Sequence, residues 1–102
     1  MARLMVIYGK RMDATAFDKE YFESHVPLVK KIPELRKFDV SQGPVGTATG
    51  ESDVQMIATL HFDDLAAMQA GMSSAEGQAT AEHAQGFMGA KDSVLVFDTR
   101  EV

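Results

Sequence analysis

Apolar and polar residues alternate along this chain in blocks, some with period two and some with the period of a helix. Leu4 to Tyr8 is a continuous apolar run closed by Gly9 and the polar pair Lys10-Arg11, the pattern of a strand buried on both faces. In "DATAFDKEYFESHVPLVKKI" the apolar residues gather on one side when wound at about 100° per residue. Thr15 and Asp18 stand three apart there, as in a capping box, and a helix is expected over 15–31. "LRKFDVSQG", residues 35–43, alternates and ends in glycine, which predicts a second strand. "GPVGTATGES", residues 43–52, carries three glycines and a proline and reads as a loop or wide hairpin. In "DVQMIATLHF" one face holds Val54, Met56, Ala58, Leu60 and Phe62, and the other Gln55, Ile57, Thr59 and His61. Asp63 and Asp64 cap a helix expected over 64–72, Ser73 with Glu76 opens another over 74–86, and "SVLVFDT" is the last strand.

Strand, helix, strand, strand, helix, strand is the split βαβ order: a ferredoxin-like α+β domain with a four-stranded antiparallel sheet and helices on one face. A sheet covered on one side should alternate cleanly between apolar and polar residues. The first strand does not, with Leu4, Val6 and Tyr8 opposite Met5 and Ile7; nor does the last, with Val94 and Val96 opposite Leu95 and Phe97. A second copy of the chain, sheet against sheet, is the expected cover, giving a homodimer and a dimeric α+β barrel. The 43–52 loop is expected to be mobile or to reach over the partner or a pocket mouth.

Composition narrows the function. With 102 residues the chain makes one domain, 1–102, and a formal net charge of −5 without a basic cluster argues against nucleic acid or an anionic membrane surface as partner. There is no cysteine, which removes thiol chemistry and cysteine metal sites and suits a cytoplasmic protein. The N-terminal apolar run is too short to span a membrane and lacks a signal-peptide cleavage pattern. Three histidines lie on separate elements with no paired-ligand spacing, so no metal is expected. His61 is expected to be exposed and His83 to be structural or at a rim.

The unusual local feature is His25 followed by Pro27 in the first helix. His25 falls in the middle of the apolar arc formed by Phe17, Tyr21, Leu28 and Ile32, with Phe22, Val26 and Val29 further round. Proline removes the N–H that the Glu23 carbonyl would receive, so the helix should kink or loosen where the imidazole projects. A buried imidazole requires a hydrogen-bond partner, which a packed core group or a cavity could supply.

Tyr21, Phe22, His25, Pro27 and Leu28, together with Phe62-Asp63 and the later Ser74, Glu76 and Gly77, resemble the EthD family, over residues 4 to 98 or so. That family takes its name from a protein encoded with an ether-degrading cytochrome P450 system and belongs to the dimeric α+β barrel superfamily. The resemblance implies a small homodimeric protein that binds or transforms a small aromatic, lactone or polyketide-like catabolic intermediate. Its chemistry would be proton transfer of the isomerase, cyclase or dehydratase kind, with no cofactor; haem degradation enters only through the shared fold. His25 is the expected proton-transfer group and Tyr21 the group that polarises a carbonyl. Glu82 is a third candidate, standing where many relatives carry an aspartate. Phe17, Leu28, Phe62 and Phe87 are expected to line an apolar pocket. A non-catalytic accessory or carrier protein of the same kind of pathway predicts the same pocket and the same dimer.

Overall fold

The computed structural model describes all 102 residues. Four strands, β1 (Ala2–Gly9), β2 (Lys37–Val40), β5 (Val54–Phe62) and β6 (Ser93–Asp98), form one antiparallel sheet in the order β2-β5-β1-β6. The α+β fold follows the split βαβ order, with α1 (Ala14–Glu20), α2 (Val26–Val29), α3 (Leu65–Ser73) and α4 (Ala75–Gln85) packed on one face. The 43–52 segment is not featureless: β3 (Gly46–Thr47) and β4 (Gly50–Glu51) pair in a small separate hairpin. Helix starts move by a residue or two because other side chains make the caps. Asp13, not Thr15, accepts the Ala16 N–H at 2.9 Å, and Ser74, not Ser73, accepts that of Gly77 at 3.0 Å.

Register places Leu4, Val6 and Tyr8 beside Leu60, Ala58 and Met56 on the helix side. Two apolar clusters follow, one around Phe62, Val29 and Ile32 and one around Tyr8, Phe17 and Tyr21. Gly77 lets α4 meet α3 backbone to backbone, since a Cβ there would collide with main-chain atoms of Gly71 and Met72, and a Cβ at Gly71 would collide with the Pro33 carbonyl. That approach fixes α4 above the sheet. The opposite face carries Met5, Ile7, Ile57, Leu95 and Phe97 with no helix over it. Leu95 and Phe97 remain 47% and 37% exposed, and β6 is exposed along its whole length.

Between α1 and α2 the chain makes a π-helical turn, Tyr21–His25, in which the Val26 N–H reaches back five residues to the Tyr21 carbonyl. The sequence requires it. Phe17, Tyr21, His25 and Val29 are all buried, and their spacing is a strict four. Three such steps over-rotate by about 120° at 3.6 residues per turn. One extra residue in the turn takes back about 100°, so the four side chains stay on the sheet side. A uniform α-helical winding puts Phe22 and Leu28 near this stripe; with the π turn Phe22 swings out to 48% exposure and Leu28 is only half-buried. Pro27 lies just after the turn, at the start of α2, so its missing N–H falls where the α-helical pattern is already interrupted.

Candidate functional site

A cavity of about 150 Å³ lies between the helices and the sheet. Leu4, Val6, Ala58 and Leu60 form its floor, and Tyr21, His25 and Val29 close it from the π-turn side. His25 is 4% exposed. Its Nδ1 lies 3.0 Å from Nδ1 of His83 on α4, and the two rings stack with an interplanar angle of 17°. His83 is half-buried at the rim, and its Nε2 is 3.4 Å from Oε1 of Glu20. A carboxylate only accepts, so its proximity favours a hydrogen on His83 Nε2. With both rings neutral, His83 Nδ1 is then an acceptor and the His25 Nδ1–H donates to it. This assignment, which rests on the chain of partners, leaves His25 Nε2 with its lone pair.

Burial first, and then the neighbouring His83, lower the pKa of His25 from 6.5 to about 4. It is therefore neutral around pH 7. The phenol rings of Tyr8 and Tyr21 meet edge to face at 5.5 Å, and both line the cavity. Burial raises both hydroxyls, Tyr8 to about 12 and Tyr21 higher still. They remain protonated donors. When one donates to the other, the pair keeps a single O–H for the cavity.

The expected site residues are thus divided. His25 and Tyr21 share the cavity. Phe17, Leu28, Phe62 and Phe87 do not line it. Phe17 and Phe62 are absorbed into the two core clusters, and Leu28 is turned aside by the π turn. Phe87 packs edge-on against His25 at 5.0 Å from outside the lining. Glu82 points to solvent one position before His83 on α4, and the carboxylate beside the histidine pair is Glu20. His61 is on the helix-free face, its side chain 15% exposed and 3.1 Å from Asp39 rather than free in water.

Two features escaped the sequence reading. One is the His25–His83 contact, between residues 58 apart; the only hint was His83 four residues before Phe87, which lies just past the end of α4. The other is Arg11–Asp92. Asp92 has a fully buried side chain that accepts from Arg11 Nη2 at 2.6 Å and Nη1 at 2.8 Å, and from the Gly9 and Gly89 N–H groups. Burial pushes its carboxyl up, but these donors outweigh burial and hold it below the usual range. Arg11 also donates to the Phe87 carbonyl at 3.0 Å, so the pair pins the segment whose ring backs His25. An isolated Asp before the last strand, following Gly86 and Gly89, was the available signal.

A second, larger concavity of about 730 Å³ lies apart from the histidines, lined in part by Lys10, Arg11, Asp18, Gln42 and Pro44. The 43–52 segment borders this groove, not the His25 cavity. No three His, Cys, Asp or Glu side chains gather as a metal site, and no helix is long and apolar enough to cross a membrane.

The EthD domain family model matches residues 9–91. An 11.0 kDa protein encoded in the thcB–thcC intergenic region of Rhodococcus erythropolis is 30% identical over 103 aligned positions, covering 100% of this chain and 98% of that one. The crystal structure of an ethyl tert-butyl ether degradation (EthD) family protein from Bacillus halodurans superposes with a TM-score of 0.89 at 33% identity, over 98% of this chain and 99% of that one. SnoaB, a cofactor-independent oxygenase from Streptomyces nogalater, shares the fold at a TM-score of 0.68 and 10% identity, over 99% and 94% of the two chains. By family model, sequence and fold together, the chain belongs to the EthD family.

Proposed function

We propose that the chain acts on a small, mostly apolar catabolic intermediate by proton transfer, in the manner of an isomerase, cyclase or dehydratase, with His25 as the group that takes the proton. The observation that carries this reading is the 3.0 Å contact between His25 and His83 at the edge of an apolar cavity. His25 alone is a weak base, because its environment disfavours the cation. The pair overcomes this. As His25 Nε2 accepts a proton from a carbon or hydroxyl next to a carbonyl, its Nδ1–H can pass to His83. The positive charge then sits on the half-exposed ring beside Glu20 rather than in the cavity. The O–H left by Tyr8 and Tyr21 would donate to the substrate carbonyl and stabilise the enolate oxygen as charge develops.

The second part of the proposal is a homodimer through the helix-free sheet face, supported by the exposed Leu95 and Phe97 and their apolar neighbours Met5, Ile7 and Ile57.

The test is exchange of the protons next to the carbonyl of δ-valerolactone or cyclohexanone in D2O, followed by NMR. Wild-type protein should accelerate exchange and His25→Ala should lose about 100-fold or more. A variant that exchanges as fast as wild type while binding more weakly would contradict catalysis and favour the carrier role.

A further inference from the structure

The cavity also constrains what it can hold, given the reading that the ligand sits against His25. We infer that it selects neutral, single-ring molecules carrying one oxygen function, such as phenols, cyclic ketones and six-membered lactones, and that it rejects carboxylates and fused rings. Size is the first ground. An apolar cavity near 150 Å³ is known to admit one benzene ring, and this cavity has the same volume. Its floor is the sheet itself, so it cannot deepen without moving β1 or β5.

Charge is the second ground. Twelve of the fourteen lining residues are hydrophobic, and none is Lys, Arg, Asp or Glu. A carboxylate entering there would shed its water without meeting a cation. The Arg11 guanidinium lies over the Phe17 ring at 4.6 Å, outside the lining, and is already engaged by Asp92.

The count of free hydrogen-bonding groups is the third. Thr80 donates its hydroxyl hydrogen to the Glu76 carbonyl at 2.8 Å, and His25 Nδ1 is taken by His83. What remains is the lone pair of His25 Nε2, the oxygen of Thr80, which can still accept, and the tyrosine hydroxyls, the only donors left in the lining. That set satisfies a hydroxyl or a carbonyl with an acidic neighbouring proton, and offers too few donors for the two oxygens of a carboxylate. The route in is also visible. Of the lining residues, Ala81 is exposed and Val94 is 51% exposed, so the mouth opens between α4 and the edge strand β6.

The experiment is a set of NMR titrations of the intact protein with phenol, δ-valerolactone, benzoate and 2-naphthol, monitored at backbone amides. Phenol and δ-valerolactone should saturably shift the amides of His25, Ala81 and Val94. Benzoate and 2-naphthol should bind there about 100-fold more weakly or not at all. Ala81→Phe, a change at the exposed mouth, should reduce phenol affinity at least 10-fold, and Met72→Ala, which enlarges the cavity, should admit 2-naphthol. Benzoate or 2-naphthol shifting the cavity amides of wild-type protein as strongly as phenol overturns the inference, as does phenol shifting only the groove around Lys10 and Gln42. If phenol and δ-valerolactone bind with this selectivity but His25→Ala leaves proton exchange unchanged, the selectivity stands and the catalytic reading falls.

Discussion

His25 shows how one residue can be positioned by backbone geometry that its own sequence context encodes. Its place among Phe17, Tyr21 and Ile32 was legible as an apolar arc, and its burial follows. Its partner was not legible, because a contact across 58 residues leaves no local trace. The buried imidazole also makes stability depend on pH. Its folded pKa, about 4, lies below the ordinary 6.5, so the unfolded chain binds the proton more readily. The neutral ring's contribution is complete above about pH 6.5 and is lost as pH falls toward 4. The loss is roughly 1–3 kcal/mol. Urea unfolding at pH 7.0 and about pH 4.5 should show this loss in wild type and much less of it in His25→Gln, which has nothing to titrate there. Equal losses in the two proteins would show that the ring is solvated.

At the scale of elements, the strands were legible because period two survives tertiary packing, and β5 buries Met56, Ala58, Leu60 and Phe62 as its alternation implies. The first helix was legible as an element but not in its winding. Residues 17, 21, 25 and 29 repeat every four positions, which a 3.6-residue period spreads round the helix and a π turn realigns. Leu28, expected in the lining from uniform winding, was misplaced for that reason, whereas Phe17 and Phe62 went into the two core clusters. The 86–92 segment is ordered from a distance by Arg11–Asp92. Asp92→Asn keeps the shape but leaves Arg11 without its counter-charge. It should cost about 2–4 kcal/mol in denaturant unfolding and speed hydrogen exchange at Phe87 and Gly89. An unchanged midpoint would make the pair a surface contact in effect.

For the whole molecule, both faces of the sheet being apolar was the clearest long-range message in the sequence, and the helix-free face bears it out as geometry. The proposed dimer predicts that wild-type protein sediments at twice the chain mass at micromolar concentration. Phe97→Asp, placing a charge on that face, should yield a folded monomer; a monomeric wild type would contradict the assembly. The chemistry proposed for the cavity turns on the state of one ring. Nitrogen-15 NMR of His25 at pH 7 should find it neutral, with hydrogen on Nδ1 and a bare Nε2 whose signal moves when phenol is added. His25 found cationic at pH 7, or with neither ring nitrogen responding to saturating phenol, would contradict it.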